Sequence, residues 1–212
     1  MNLGDACVVA TDDESVRRAA AEAGAETVMT SKTLDSGTDR VAEVARMPEF
    51  SDFDVFVNVQ GDEPFMSGNA VAAAKEMVAS RSFDVGTAAA RAEPWVLDDP
   101  GIVKVVVGDD GRALYFSRAG IPYLRDHGDR EARDANILQH LGVYVYTRTA
   151  LDRWVALPAH PLEKIERLEQ LRPLAAGITF GVAITDGPAY AGIDTEEDLA
   201  DANARWAEIS AR

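Results

Sequence analysis

Cysteine and basic residues are scarce in this sequence. Cys7 is the single cysteine among 212 residues, so neither a disulfide framework nor a cysteine-based metal site is expected. Lysine and arginine together number 21 against 36 aspartates and glutamates, which gives a formal net charge of −15. This balance argues against a general nucleic-acid-binding protein, because such proteins need a basic surface.

Long apolar runs and common nucleotide-binding motifs are also absent from the sequence. No apolar run reaches the roughly 18 residues of a transmembrane helix, and the amino terminus lacks the basic and apolar regions of a signal peptide. Neither GxxxxGK(S/T) nor GxGxxG occurs, which argues against P-loop NTPases and dinucleotide-binding proteins. We therefore expect a soluble cytoplasmic protein that binds neither a membrane nor nucleic acid.

Short β-branched runs alternate with helical patterns along the whole chain. Hydrophobic residues make up 47% of the sequence, enough for the core of one domain spanning residues 1–212. The alternation predicts a three-layer α/β fold, in which helices cover both faces of a mostly parallel sheet. A GDDG turn between Val103–Val107 and Ala113–Phe116 predicts a β-hairpin, so the sheet should be mixed. We expect residues 102–147, which contain this hairpin, to be an inserted subdomain.

The remaining elements follow from periodicity and from glycine and proline stops. The other predicted strands are Ala6–Thr11, Thr27–Thr30, Val55–Gln60, Asp84–Arg91, Leu141–Tyr146 and Phe180–Ile184. The predicted helices are Glu14–Ala23, Thr38–Met47, Asn69–Ala79, Thr149–Leu157, Leu162–Ala175 and Thr195–Ile209. The charged, weakly periodic segment Leu124–Ile137 is predicted to be a mobile loop.

The segment Val55–Pro64 carries the strongest functional signal from local sequence. A buried strand is predicted to stop at Gln60, and Asp62 and Glu63 follow directly. Open α/β sheets bind their ligands at the carboxyl ends of strands, and Mg²⁺ is usually held by one or two carboxylates plus substrate phosphates. A solvated acidic turn explains the same pattern, so spacing alone leaves both interpretations open.

Two arginine-containing segments are candidate anion sites. Ser36–Arg40 opens a predicted helix, where free N–H groups favour anions, although an ordinary helix cap with a solvated arginine is the commoner explanation of such a segment. Arg118 closes the hairpin; its planar guanidinium suits a carboxylate or phosphate, and a surface ion pair is the alternative.

Two further features have both structural and functional interpretations. His140 and Tyr144 lie four residues apart in a predicted strand, which places both on one face, although a lone histidine is more often structural. Asp194 precedes the last helix and is either a helix cap or a carboxylate that completes a metal site with Asp62.

Taken together, seven segments resemble one family along essentially the whole chain. The segments are VVATDD at Val8–Asp13, VMTSKTLDSGTDRVAEVA at Val28–Ala45, NVQGDEP at Asn58–Pro64, ALYFSRAGIP at Ala113–Pro122, HLGVYVY at His140–Tyr146, PLEKIERLEQLR at Pro161–Arg172 and GIDTEEDL at Gly192–Leu199. Their identity and order resemble the 3-deoxy-manno-octulosonate (Kdo) cytidylyltransferases. The resemblance implies a Rossmann-like nucleotidyltransferase fold, with the hairpin region binding sugar and pairing two subunits as a homodimer.

The resemblance also implies a reaction and a set of site residues. The family joins CTP and Kdo to give CMP-Kdo and pyrophosphate for lipopolysaccharide biosynthesis, with Mg²⁺ as cofactor. Asp62 and Asp194 match the metal ligands and, with Arg40, the catalytic set. The positions that match the nucleotide site are Asp12, Ser36, Gly37, Thr38, Arg40 and Gln60. The positions that match the sugar site are Arg118, His140, Tyr144, Glu169 and Gln170, with Arg118 facing the sugar carboxylate.

The sequence departs from the family pattern at its amino terminus. Family members begin with a strand and a basic, glycine-rich loop that grips the triphosphate, whereas Met1 lies about where their second strand begins. We therefore expect the first central strand to be missing, two strand edges to be open, and turnover by this chain to be low. Two alternatives follow: a truncated, inactive sugar-binding remnant, or a cytidylyltransferase for another acidic sugar such as sialic acid.

Overall fold

The computed structural model describes residues 4–80, 83–187, 189–190, 192–193 and 195–210. The strands are β1 (Val8–Thr11), β2 (Glu26–Met29), β3 (Val55–Val59), β4 (Val85–Arg91), β5 (Lys104–Val107), β6 (Ala113–Ser117), β7 (Leu138–Thr147) and β8 (Phe180–Thr185). The α-helices are α1 (Glu14–Glu22), α2 (Gly37–Ala45), α3 (Gly68–Ala79), α4 (Arg130–Asp134), α5 (Arg148–Val155), α6 (Pro161–Glu166), α7 (Leu171–Ala175) and α8 (Glu196–Ser210). In these residues no helix is both long enough and apolar enough to cross a membrane.

Strand β7 organises a six-stranded mixed sheet. It pairs antiparallel with β4 along most of its length, with β3 over its second half and with β5 at its first end. Strand β6 extends the sheet beyond β5 as the predicted hairpin, and β8 pairs parallel with β4 on the other side. The mixed α/β fold is thus confirmed. Four strands share one direction, but neighbours in this sheet are mostly antiparallel because β7 runs against them in the middle.

Strands β1 and β2 form a separate two-stranded parallel sheet. Within the described ranges no strand pairs with the other edge of β1, and β3 has only β7 as a neighbour. Val55 and Val59 on β3 remain 44% and 43% exposed, a large fraction for valines of a strand in the main sheet. The outer edges of β1 and β3 are therefore unpaired among the described residues, and the absence of a central strand stays a prediction.

Helices cover both faces of the large sheet, which gives the three predicted layers. Side chains that alternate along β4 and β7 point to opposite faces. Ala88, Ala90, Val143 and Val145 pack against α3, whereas Val85, Ala89, Tyr144 and Tyr146 pack with α2 and α5. The second face contains an aromatic cluster, in which Trp154 is fully buried with its ring centroid 5.5 Å from those of Tyr146 and Phe180.

The predicted long helix Leu162–Ala175 is wrong, because the chain forms two short helices there. Helix α6 ends at Glu166, and its C-cap Arg167 adopts a left-handed conformation with φ 54°. Helix α7 begins at Leu171, and Pro173 lies inside it. In one continuous helix the Pro173 ring would clash with the Glu169 carbonyl and leave that carbonyl without its donor. The break presents residues 167–170 to the site described below.

The segment Leu124–Ile137 also differs from the prediction of a loop. It contains a 3₁₀ turn at His127–Asp129 and helix α4 at Arg130–Asp134. The Asp126 carboxylate caps the turn by accepting from the Gly128 N–H at 2.8 Å. Strong charge and weak apolar periodicity hid these elements, because neither buries a residue.

Candidate active site

A cleft of about 460 Å³ brings together most of the predicted site residues. It lies between the turn after β3, the first half of β7 and the break between α6 and α7. The predicted residues that line it are Gln60, Asp62, Arg118, His140, Tyr144, Glu169 and Gln170. Residues separated by more than 100 positions in the sequence therefore face one space.

The turn that carries Asp62 is fastened to β7. The Gln60 N–H donates to the Gly142 carbonyl at 3.3 Å, and the Gly142 N–H donates to Glu63 Oε1 at 3.3 Å. A Cβ at position 142 would lie 2.7 Å from Glu63 Oε1 and 2.9 Å from its Cγ, so only glycine permits this contact. The β4–β7 ladder shifts register here, between Thr87 and Ala88.

Asp62 is also linked to the segment before α8. Its carbonyl accepts from the Ile193 N–H at 2.9 Å. Asp194, the second predicted metal ligand, lies outside the described residues, so the predicted Asp62–Asp194 pair stays untested. In the described part of the chain no three histidine, cysteine or acidic side chains are grouped as a metal site.

Backbone carbonyls hold Arg118 in place. Its Nε donates to the Glu166 carbonyl at 2.8 Å and its Nη1 to the Pro100 carbonyl at 2.9 Å. No carboxylate of the described residues forms an ion pair with its guanidinium. The guanidinium is therefore fixed in direction while its charge remains available to an anion in the cleft.

Two residues that support Arg118 were not predicted from the sequence. The Glu166 carboxylate accepts from the Arg118 N–H at 2.9 Å and from Ser117 Oγ at 2.7 Å. Lys104 is fully buried, and its Nζ donates to the carbonyls of Asp99, Ile102 and Arg118 at 2.6–2.8 Å. Burial lowers the pKa of the Lys104 ammonium. The sequence signal for a buried role of Lys104 was its position in an apolar strand, between Val103 and Val105.

The His140 and Tyr144 rings share one face, as their spacing predicted. Their centroids lie 5.4 Å apart, and the Phe116 ring meets His140 edge-on at 5.0 Å. Burial lowers the pKa of His140 to about 3, so its imidazole is neutral at physiological pH. Burial also raises the pKa of the Tyr144 phenol, with smaller contributions from neighbouring acidic groups such as Glu169. Both side chains are neutral hydrogen-bonding groups.

Glu169 connects the cleft to the first turn of α2. Its Oε1 accepts from Thr38 Oγ1 at 2.9 Å, and Thr38 Oγ1 lies 3.1 Å from the Tyr146 hydroxyl. Its Oε2 is buried without a hydrogen-bond partner in the described residues. Burial raises the pKa of the Glu169 carboxyl against the lowering effect of its hydrogen bonds. Thr38, predicted in the nucleotide site, thus has a buried side chain directed at Glu169.

The other predicted nucleotide residues lie beside the cleft, around α2 and β1. Ser36 caps α2 by accepting from the Asp39 N–H at 3.2 Å. Arg40 donates to Thr30 Oγ1 and pairs with Asp12, whose Oδ1 lies 3.3 Å from Arg40 Nη2. Gly37 lies close to β3, because a Cβ there would be 3.6 Å from Asn58 Nδ2. Of the nucleotide set, the structure places Gln60 in the cleft lining and the rest outside it.

Comparison with known proteins gives the family of this chain. A cytidylyltransferase family model matches residues 2–180. The 3-deoxy-manno-octulosonate cytidylyltransferase of Gemmatimonas aurantiaca is 55% identical over 209 residues, which cover 97% of this chain and 80% of that protein. The chain belongs to the 3-deoxy-manno-octulosonate cytidylyltransferase family.

Further relatives agree with this assignment. The 3-deoxy-manno-octulosonate cytidylyltransferase of Xanthomonas oryzae is 42% identical, over 94% of this chain and 79% of that protein. A solved structure of CMP:2-keto-3-deoxy-manno-octonic acid synthetase complexed with CTP superimposes with a TM-score of 0.84 and 34% identity, covering 96% of this chain and 81% of that one. An inositol-1-phosphate CTP transferase from T. maritima, 15% identical with a TM-score of 0.55, shares the fold.

Proposed function

We propose that this chain catalyses the reaction named for its relatives, transfer of a cytidylyl group from CTP to Kdo. The sugar hydroxyl forms a bond to the α-phosphorus of CTP, and pyrophosphate leaves. The observation that carries the proposal is the fixed Arg118 guanidinium, which has no carboxylate partner among the described residues and lies in one cleft with Asp62. An acidic sugar supplies the missing carboxylate.

The chain's own residues account for binding and orientation of the sugar. Arg118 pairs with the sugar carboxylate through its charge and through Nη2, whose one carbonyl contact, to Arg167, is long at 3.5 Å. Neutral His140 and Tyr144 form hydrogen bonds with sugar hydroxyls, and Glu169 and Gln170 border the same space. Such positioning is the main protein contribution to phosphoryl transfer, which needs little covalent chemistry from side chains.

We propose Mg²⁺ as the cofactor, with Asp62 and Asp194 as its ligands. Support comes from the oxygen donors of these carboxylates, which hard divalent cations prefer, and from the hydrogen bond that joins Asp62 to Ile193, the residue before Asp194. When bound, the ion would neutralise phosphate charge and favour ionisation of the attacking hydroxyl. Asp62 contributes a carboxylate on a turn that Gly142 fixes against the sugar side.

Pyrophosphate release from CTP, Mg²⁺ and Kdo tests the function. We expect Kdo-dependent release that is slow beside the Gemmatimonas relative, since no strand of the described residues pairs with the outer edges of β1 and β3. N-acetylneuraminate in place of Kdo is the matched control and should give no release. Kdo binding without any turnover would favour the sugar-binding remnant instead, and release with N-acetylneuraminate alone would favour a sialic acid enzyme.

We also propose a homodimer in the cytoplasm, as the resemblance implies. Three large apolar side chains support the dimer: Leu114 on β6, Tyr123 in the segment after it and Ile165 on α6 are 57%, 85% and 77% exposed. Large exposed apolar groups commonly mark protein interfaces. Light scattering during size-exclusion chromatography should give twice the chain mass, and Tyr123→Glu should give the monomer mass.

A further inference from the structure

Thr87 on β4 contacts His140 from behind the cleft. Its Oγ1 lies 2.8 Å from His140 Nε2 and 2.7 Å from the Val143 carbonyl oxygen. Thr87 is fully buried, so no solvent competes for these contacts. The Val143 carbonyl reaches Thr87 because the β4–β7 ladder shifts register beside it, from Thr87↔Tyr144 to Ala88↔Leu141.

The two contacts fix where the protons lie. A carbonyl oxygen can only accept, so the single Thr87 hydroxyl proton goes to Val143. The hydroxyl oxygen must then accept from His140, which places a proton on Nε2. A neutral imidazole with Nε2–H has a lone pair on Nδ1. No group of the described residues donates a hydrogen bond to Nδ1, and the ring borders the cleft.

We propose that Thr87 is a positioning residue that holds His140 as the Nε2–H tautomer, so that Nδ1 accepts a hydrogen bond from a sugar hydroxyl. The Phe116 and Tyr144 rings also pack against the His140 ring, with centroids 5.0 and 5.4 Å from its centroid. The lowered pKa of His140 agrees, because a protonated ring would carry a donor on both nitrogens. The sugar-hydroxyl part of this inference rests on the proposed function, whereas the tautomer does not.

Nitrogen-15 NMR of the ligand-free full chain tests the tautomer alone. The chain has three histidines, and His140→Asn assigns the signals of His140. We expect Nε2 to have the nitrogen-15 chemical shift of a protonated ring nitrogen and Nδ1 that of an unprotonated one. Both chemical shifts should stay constant from about pH 8 to about pH 5. A proton on Nδ1, or titration of His140 near neutral pH, would overturn the inference.

Matched variants test the positioning role. Thr87→Val removes the hydroxyl with little change of shape, and Thr87→Ser retains the hydroxyl. Loss of the oriented acceptor should raise KM for Kdo by about 3- to 10-fold in the valine variant, with KM for CTP unchanged and near-parent values for serine. The Nε2–H tautomer population should fall in the valine variant alone.

The outcomes separate this inference from the proposed function. Added Kdo should change the His140 Nδ1 shift in the parent chain as a hydrogen bond forms there. Kdo binding by calorimetry without that change contradicts the inference while the function stands. Absence of any Kdo binding contradicts the function and the sugar contact together, although the tautomer measurement still decides the role of Thr87. A valine variant with parent-like tautomer and KM contradicts the positioning role even if its melting temperature falls.

Discussion

The sugar side and the nucleotide side proposed above differ in how firmly their residues are held. On the sugar side, backbone carbonyls hold Arg118, Thr87 contacts His140, and Thr38 donates a hydrogen bond to Glu169. On the nucleotide side, β1 and β2 are four residues each, and α1 buries no residue. Arg40 there relies on Asp12 and Thr30.

The difference follows from where the hydrophobic core lies. The aromatic cluster around Trp154 lies directly behind Tyr144 and Tyr146 on β7. Burial there lowers the pKa of His140 to about 3 and raises the pKa of Tyr144. Close packing fixes side chains in one arrangement. The separate β1–β2 sheet has no comparable support in the described residues. We infer that the sugar side is preformed and that the nucleotide side depends more on its ligand for order.

The largest expected effect comes from Asp62→Asn, which changes the charge at the junction of the two sides. It should reduce Kdo-dependent pyrophosphate release by about 100-fold or more, because a neutral amide binds Mg²⁺ poorly. Binding of Kdo alone, measured by calorimetry, should change little. Asp54→Asn, on the segment before β3, is the control. Parent-like turnover of the Asp62 variant would contradict the metal assignment.

Arg118→Lys tests the firmly held side directly. Lysine keeps the charge but loses the fork that matches a carboxylate, so the dissociation constant for Kdo should rise by about 10- to 100-fold. Calorimetric titration with Kdo measures it, and Arg112→Lys in the hairpin turn is the matched control. An unchanged Kdo affinity would show that another group binds the sugar carboxylate.

Glu169→Gln tests how a buried carboxylate affects the stability of the same side. The pKa of Glu169 is raised in the folded state, mainly by burial, so the parent loses stability as pH rises above the ordinary carboxyl range. The variant should therefore be more stable than the parent by about 1 kcal/mol at neutral pH. That gain should disappear below about pH 4. Urea unfolding at both pH values measures it, and an equal gain at both would contradict the burial explanation.

Arg40→Lys should give the smallest effect and tests the less supported side. The dissociation constant for CTP should rise by about 3-fold, because lysine retains the charge of Arg40 and loses only the guanidinium contacts to Asp12 and Thr30. The Kdo affinity should stay at the parent value. Calorimetry with each substrate separates the two, and a comparable loss of Kdo affinity would show that the two sides are not independent.

Local patterns predicted most elements of the fold, and long-range pairing explains the misses. Strands and helices with clear periodicity, such as β4 and α3, appear within one residue of their predicted ends. The antiparallel course of β7 through the sheet could not be predicted, because strand direction depends on pairing between distant segments. Pro173 was a readable signal for the broken helix, and the periodicity of Ile165, Leu168 and Leu171 hid it.

The candidate site was predicted through motifs, and its supporting groups were not. The resemblance pointed to Arg118, His140 and Glu169, which the fold gathers in one cleft. Thr87 and Lys104 lie in ordinary strand patterns, and their roles come from contacts with residues far along the chain. The shift of register at Gly142 likewise has no local sequence signature beyond the glycine itself.

The glycine at position 142 has a consequence for how the two reactants meet. Glu63 occupies the volume that any other side chain there would take, so the acidic turn and the sugar-bearing strand are in direct backbone contact. A methyl group at position 142 would displace the Glu63 carboxylate from the Gly142 N–H. Of the two hydrogen bonds that fasten the turn to β7, only the one between the Gln60 N–H and the Gly142 carbonyl would then remain, and in-line displacement tolerates little misalignment.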